Sequence, residues 1–283
     1  MLRSLEGQDC PTVQSWDIVL VLDGVQMPKE LELSLIDKVQ VVQLDAPCGR
    51  ATARNMGARA ASGEIVIFLD DDIIALPELV VAHASIQAQE PCLCRGSVRE
   101  LPALSFFPDL NALDDARSNQ MLRRRVKRIL LELDDDLEAS WVKHGRMSRI
   151  QRDGTAAFEA KNMVFAWIAF AGANLSAPRT WILEHPFDER AGTAWGVEDL
   201  SLALRWLLNG QLLRFAPQAR AFHLSHPQPR WRESLRSTRV CLDFLAPESV
   251  DIILDYLEGT REHQDVTACI APLLKSNVEL PNI

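Results

Sequence analysis

Short runs of apolar residues alternate with helical segments over the first hundred residues of the chain. The five apolar residues at 65–69 predict a strand that is buried on both faces, and three similar runs predict further strands. The other predicted strands lie at 18–22, 39–44 and 92–98, and the predicted helices between them lie at 49–63 and 77–89, with a short helix opened by Pro28. This alternation favours an α/β fold with a mostly parallel, doubly wound sheet.

From about residue 101 the pattern changes. Residues 101–160 are strongly charged and predict a mainly helical insertion. Its basic run at 123–128 is suited to contact phosphate or an anionic membrane surface, but pairing with the acids at 132–138 or a solvated face is the favoured interpretation. An apolar strand is predicted at 163–170. A helix opened by Pro178, a helix at 199–208, a strand pair beyond Gly210 and helices from Arg230 onward complete the prediction.

Three consecutive aspartates, Asp70, Asp71 and Asp72, follow the apolar run at 65–69. Adjacent anions repel one another, and the carboxyl end of a buried strand is where open α/β sheets bind ligands. Two carboxylates one residue apart can share Mg²⁺ or Mn²⁺ and leave coordination sites for phosphates and water. The pattern predicts either a metal site or a solvated acidic turn. A second acidic triplet at 134–136 lies in a helical segment and is interpreted as a solvated helix face.

Two further positions in the first half carry candidate chemistry. Asp23 ends a predicted strand and precedes a glycine, which suits an acceptor for a nucleoside or a simple turn. Arg50 and Arg54 lie in a helix that begins beside Gly49, where they can offset the charge of a diphosphate or remain in water.

Two pairs of residues in the second half carry candidate chemistry as well. Glu198 and Asp199 begin a predicted helix, where acids are common caps. His223 and His226 follow an apolar strand and can supply a neutral imidazole to a metal, or serve only the structure.

The composition narrows the class of protein. With 283 residues, 47% hydrophobic and 24% charged, the chain is expected to form one large soluble domain, with or without an appendage. Its formal charge of −9 disfavours nucleic acid as a partner. It has no apolar run of the roughly 20 residues that span a bilayer and no signal peptide, so we expect a cytoplasmic protein, with peripheral contact to the membrane face left open. Its six cysteines show no paired metal-ligand spacing, and reduced thiols are expected.

The order of these motifs resembles the GT-A glycosyltransferases, particularly family 2 enzymes with a galactosyltransferase-like second half. The resemblance covers about residues 1–228. It is carried by the segment 49–72, by Gly172-Ala173-Asn174, and by Phe187-Asp188-Glu189 leading to Trp195-Gly196-Val197-Glu198-Asp199-Leu200. It implies a GT-A, or nucleotide-diphospho-sugar transferase, fold. It divides the chain into a nucleotide-sugar-binding half at 1–100, the insertion at 101–160, an acceptor-binding and catalytic half at 161–228, and a C-terminal helical extension at 229–283.

The resemblance also implies an activity. An inverting, metal-dependent glycosyltransferase would move a sugar from a nucleotide-diphospho-sugar, most plausibly a UDP-sugar, to the hydroxyl of a saccharide, lipid-linked or other acceptor, with Mn²⁺ or Mg²⁺ as cofactor. Carried over by residue, the resemblance implies that the donor nucleotide is bound by Asp23, Arg54, Asp70 and Asp71. It implies that the metal is held by Asp72, Asp70 and His223, with His226 as a fallback. It also implies that Glu198 and Asp199 are catalytic, with Asp199 as the base, and that the acceptor or sugar pocket is lined by Gly172, Ala173, Asn174, Trp195 and Gly196.

The chain departs from the family pattern at two places. It starts at the helix that follows the family's first strand, so that strand is expected to be missing, and Ser201 stands where a further acid is common. These departures leave a second hypothesis, a catalytically impaired, truncated relative that binds a nucleotide sugar or a partner protein. A nucleotidyltransferase is a third, but it gives Trp195 to Asp199 no role.

Overall fold

The structure is a computed structural model and describes residues 1–27, 39–102, 124, 133, 135–226 and 230–275. Three sequence predictions lie wholly or mostly outside these residues. They are the helix opened by Pro28, the basic run at 123–128 apart from Arg124, and the insertion between 103 and 132. Of the second acidic triplet, Asp135 and Asp136 are described and exposed, and Asp136 caps a helix by accepting a hydrogen bond from the Ala139 amide at 2.9 Å.

Within the described residues, the predicted elements of the first hundred residues are present. A short helix precedes a strand–helix alternation whose boundaries fall close to the limits of the apolar runs. In chain order these elements are α1 (Leu2–Glu6), β1 (Ile18–Asp23), β2 (Val39–Leu44), α2 (Arg50–Ala60), β3 (Ile65–Leu69), β4 (Ile73–Ala75), α3 (Leu79–Gln89) and β5 (Leu93–Leu101).

The second half is mainly helical around two strands. Its elements are α4 (Leu137–His144), α5 (Arg149–Glu159), α6 (Met163–Ala166), β6 (Asn174–Pro178), α7 (Arg179–Glu184), α8 (Glu198–Leu208), β7 (Leu213–Leu224), α9 (Trp231–Ser237), α10 (Pro247–Glu258) and α11 (His263–Lys275). In the described part of this half, 3₁₀ turns at Trp167–Ala169, Glu189–Ala191 and Thr238–Leu242 connect them. Within the described ranges, no helix is long and apolar enough to cross a membrane.

The described strands form two sheets, and the expectation of a mostly parallel sheet is wrong. β1 and β2 pair in parallel as one sheet, and the other sheet has the order β3-β6-β5-β7-β4. Among the described strands of the larger sheet, β5 and β7 run parallel. The pairs β3 with β6, β5 with β6 and β4 with β7 are antiparallel. A buried apolar run specifies a strand but not its direction, so an alternation of strands and helices cannot exclude short antiparallel insertions.

The strand predicted at 163–170 is also wrong, because this segment is the helix α6 followed by a 3₁₀ turn. Phe165 to Phe170 are buried on every side. A helix surrounded by protein loses its polar face, and its continuous apolar sequence then cannot be distinguished from a buried strand.

The strand pair predicted beyond Gly210 is one strand, β7. Gly96 pairs with Ala216 and the next residue, Ser97, pairs with Arg220, so the strand bulges between these two positions. Pro217 lies in the bulge, where its missing N–H interrupts the ladder without leaving an orphaned donor. Pro217 therefore marks an irregularity inside one strand.

The C-terminal extension is part of the main hydrophobic core. Val250, Leu254 and Tyr256 of α10 share a buried cluster with Phe165 of α6 and Trp206 of α8. The extension therefore packs on the helices of the second half of the chain, beside the segment that carries Glu198 and Asp199. All six cysteines are free, as expected.

Candidate active site

The candidate site lies where the ends of β1, β3 and β7 meet the first turns of α2 and α8. In the loop before α2, the backbone of Gly49 lies close to that of Gly192. Gly49 has φ +95°, and a Cβ at this position would overlap the carbonyl oxygen of Gly192. The carboxylate of Asp23 accepts the amide hydrogens of Cys48 at 2.7 Å and Gly49 at 2.9 Å. Asp23 therefore fixes the loop before α2, and its predicted contact with a nucleoside stays a prediction.

Arg54 joins the two halves of the site. Its guanidinium donates to Asp70 Oδ1 and to Glu198 Oε1, both at 2.9 Å, and its side chain is only 10% exposed. Burial opposes the charge, but the ion pairs outweigh it and hold the pKa of Arg54 above its ordinary value. A Cβ at Gly172 would overlap this guanidinium, so a side chain there would have to displace Arg54. Arg54 thus spans from the acidic end of β3 to the first turn of α8.

Glu198 and Asp199 have different surroundings in the first turn of α8. Asp199 accepts the amide hydrogens of Gly172 at 2.6 Å and Leu200 at 2.7 Å. Burial and the neighbouring charge of Glu198 raise the pKa of Asp199 to about 7, against the opposing effect of Arg54. Glu198 is 3% exposed, and its Oε2 has no hydrogen-bond partner among the described residues. Acids near a helix N-terminus are favoured by the helix dipole, but burial to this degree exceeds what capping requires.

Asp72 faces the two histidines. Its Oδ2 lies 3.1 Å from His223 Nε2 and 3.4 Å from His226 Nε2. The pairing of Ile73 with His223 in the β4–β7 ladder brings these side chains together. Burial opposes protonation of His223, but hydrogen bonds with Asp72 and Glu100 outweigh it and raise the pKa of His223 to about 10. Burial raises the pKa of Asp72, but its contacts with His223 outweigh this and lower it overall.

The side chains around Asp72 provide part of a site for a divalent cation. Throughout the part of the chain that the structure describes, no three His, Cys, Asp or Glu side chains form a group that could hold a metal ion as they stand. Asp72 Oδ1, however, is buried without a hydrogen-bond partner among the described residues, beside two imidazoles. Mg²⁺ commonly uses one or two protein carboxylates and takes its remaining ligands from phosphates and water. Asp72 and His223 fit such a partial site, whereas Asp70 contacts Arg54 instead.

The predicted pocket residues divide into two groups. Gly172 lies against Arg54 and Asp199, and Ala173 is buried beside it. Asn174 points into the interior, where it contacts His83 Nε2 at 2.8 Å and donates to the Ala219 carbonyl at 2.9 Å. Asn174 therefore fixes β6 from the inside of the protein.

Trp195 and Gly196 lie in the loop before α8, and the C-terminal extension holds this loop. The Trp195 amide donates to Ser234 Oγ at 2.5 Å, and a Cβ at Gly196 would overlap the side chain of Thr238. The guanidinium of Arg50 lies 5.8 Å from the Trp195 ring centroid. Sequence reasoning missed Ser234 and Thr238, because a single hydroxyl in a helical segment gives no signal of its tertiary contacts. It also missed Glu100, because an acid in a strand gives no signal of the residue that it faces across the sheet.

The sequence of this chain is similar to those of several known proteins. Residues 1–92 match the model of glycosyl transferase family 2. Validoxylamine A glucosyltransferase of Streptomyces hygroscopicus subsp. jinggangensis (strain 5008) is 28% identical over 210 residues, which cover 70% of this chain and 45% of that protein. The uncharacterized glycosyltransferase YfnE of Bacillus subtilis (strain 168) is 21% identical over 245 residues, covering 80% and 61%. The chain thus spans less than half the length of the validoxylamine A enzyme.

Solved structures show the same fold. S. aureus TarS superimposes with a TM-score of 0.50 at 15% identity, covering 92% of this chain and 40% of TarS. The fragment TarS 1-349 gives 0.50 at 16% identity, covering 92% and 66%. The predicted GT-A fold is therefore confirmed. The family match covers residues 1–92, and glycosyltransferase activity and the galactosyltransferase-like character of the second half stay predictions.

Proposed function

We propose that this chain transfers a sugar from a nucleotide-diphospho-sugar to an acceptor hydroxyl, with inversion at the anomeric carbon and with a divalent metal. The observation that carries the proposal is the division of labour within Asp70-Asp71-Asp72. Asp72 faces His223 and His226, Asp70 is joined through Arg54 to Glu198, and Asp71 is exposed. The acidic triplet is thus connected both to a candidate metal site and to the buried acids Glu198 and Asp199. A solvated turn would need neither connection.

UDP is the nucleotide that we propose first. The structure of S. aureus TarS 1-349 was solved in complex with UDP-GlcNAc, and this chain shares its fold with a TM-score of 0.50. The name of validoxylamine A glucosyltransferase states a glucosyl donor and a specific acceptor. For this chain we propose a sugar nucleotide as donor and a saccharide, lipid-linked or other hydroxyl compound as acceptor.

Asp72 and His223 would hold Mn²⁺ or Mg²⁺, and Asp70 would lie on the ribose side of the donor. When bound, the metal supplies Lewis-acid stabilisation to the leaving diphosphate. The start of α2 lies beside the end of β1, where Asp23 accepts the loop amides, and the helix dipole there favours an anion. Asp71 would contribute least, because its side chain points to solvent.

Asp199 would act as the general base. A hydroxyl is a weak nucleophile, so removal of its proton during attack lowers the barrier. A pKa of about 7 suits that task near neutral pH, and the amides of Gly172 and Leu200 hold the carboxylate in one orientation. Glu198 raises this pKa through its charge, while Arg54 keeps Glu198 in place. A single base without a carboxylate nucleophile corresponds to one displacement and hence to inversion.

Replacement of Asp199 by Asn tests the assignment. Binding of UDP and Mn²⁺ by calorimetry is expected to match that of the wild type, whereas release of UDP from UDP-sugars in the presence of candidate acceptors is expected to fall by about 10²-fold or more. Loss of binding and turnover together would contradict the role of Asp199. Wild-type binding without any turnover would instead support the second hypothesis, a nucleotide-sugar-binding relative without activity.

A further inference from the structure

Glu100, at the end of β5, contacts the candidate metal site from the side opposite Asp72. Its Oε2 lies 2.8 Å from His223 Nδ1 and accepts a hydrogen bond from Ser225 Oγ at 2.6 Å. Glu100 and His223 are direct partners in the parallel ladder of β5 and β7. The contact between the carboxylate and the imidazole therefore follows from the strand register.

The backbone of Glu100 is fixed on its other edge as well. Its amide donates to the Arg146 carbonyl at 2.6 Å, and its carbonyl accepts from the Arg146 amide at 2.9 Å. The Ser225 amide donates to the Leu101 carbonyl at 3.2 Å, which ties the ends of the two strands together. A carboxylate on so constrained a backbone has little freedom to move away from His223.

This geometry selects one orientation of the imidazole. When Nδ1–H donates to Glu100 and a metal replaces the proton on Nε2, the lone pair that binds the metal is on Nε2. Nε2 is the atom that faces Asp72, at 3.1 Å. A carboxylate behind a metal-binding histidine fixes the tautomer and ring orientation and makes the imidazole a better donor.

We propose that Glu100 is a positioning residue for the metal site and acts through His223. This inference rests on the proposed metal-dependent function, because it assumes that His223 is a ligand. Ser225 has a supporting role, since its hydroxyl binds the same carboxylate oxygen. Loss of such a partner typically weakens metal affinity about 10- to 100-fold.

The experiment measures Mn²⁺ affinity by calorimetry or electron paramagnetic resonance on the intact chain without substrate. Glu100→Ala is expected to weaken Mn²⁺ binding by about 10- to 100-fold, and Glu100→Gln by less, because the amide oxygen still accepts from Nδ1–H. Glu90→Ala is the matched control, because Glu90 is an exposed acid paired with Arg214 at the other end of the same strand region. Its Mn²⁺ affinity is expected to equal that of the wild type.

Urea unfolding of the same variants separates positioning from a general structural role. A purely structural role would lower the stability of Glu100→Ala and Glu100→Gln but leave the Mn²⁺ affinity of the folded protein unchanged. Affinity of Glu100→Ala within about twofold of the wild type would overturn the inference while leaving the proposed function intact. A wild-type chain that binds no Mn²⁺ would overturn both the inference and the metal-dependent part of the proposed function.

Discussion

Replacing Arg54 with Met removes the cation that links the end of β3 to α8. The substitution leaves the carboxylates of Asp70 and Glu198 without their common partner. Removing one member of a buried ion pair costs about 3–5 kcal/mol, because the remaining charge is uncompensated. The side chain of Asp70 is 29% exposed and is screened by water, so we assign most of this cost to Glu198.

Two matched substitutions separate electrostatics from lost volume. Arg95 is even more deeply buried, at 1% exposure, but it donates to Gln151 and Thr155 at 2.7 and 2.6 Å and has no carboxylate partner among the described residues. Arg95→Met leaves no buried anion, so a loss of no more than about 2 kcal/mol is expected. Arg59 lies on the same helix as Arg54 with an exposed side chain, and Arg59→Met is expected to cost at most about 1 kcal/mol.

The assay is urea unfolding at pH 8, followed by tryptophan fluorescence, for which the chain has seven tryptophans. The expected order of destabilisation is Arg54→Met, then Arg95→Met, then Arg59→Met. A loss for Arg54→Met that lies within about 1 kcal/mol of that for Arg59→Met would refute the reasoning, since it would mean that Glu198 needs no buried counter-charge.

Two further predictions concern α8 and the loop before it. The pKa of Asp199 is raised from 3.8 to about 7, so the folded state holds the proton more tightly than the unfolded chain does. The free energy of unfolding therefore falls as pH rises from about 4 to 7, because this carboxyl ionises more readily in the unfolded chain. The free energy of unfolding of Asp199→Asn relative to the wild type is therefore expected to increase across that window in urea titrations, and a constant difference would contradict the shift. Gly196→Ala places a Cβ against Thr238 and is expected to cost about 1–3 kcal/mol in thermal unfolding, whereas Gly7→Ala, with no atom within 4 Å, should have little effect. Equal losses for the two glycine variants would count against the close packing of the C-terminal extension.

Elements with a local signal were predictable from the sequence. The β-branched and apolar runs that form β1, β2 and β3 lie between turn residues, and their limits follow directly from those boundaries. Gly49 and Gly172 also follow a local rule, because small residues next to candidate ligand-binding segments indicate close approach. The acidic end of β3 was likewise found from the contrast between a buried strand and three charges.

Features determined by tertiary packing were not predictable. Arg54 could be placed near the site, but whether it faces phosphate, water or carboxylates depends on how α2 and α8 come together. The direction of β4 and β6 and the helical state of 163–170 depend on neighbours that the local pattern does not specify. The contact of Glu100 with His223 was not predictable either, because it depends on the register in which β5 pairs with β7.

The most direct test of the central claim is Mn²⁺-dependent release of UDP from a panel of UDP-sugars. The wild type is expected to release UDP only with metal, Asp72→Asn to lose this release together with Mn²⁺ affinity, and Asp71→Asn to retain both. Equal sensitivity of Asp71 and Asp72 would show that the acidic triplet has been assigned in the wrong register. Release that is unaffected by metal removal and by Asp72→Asn would contradict the claim that Asp72 and His223 hold a catalytic cation.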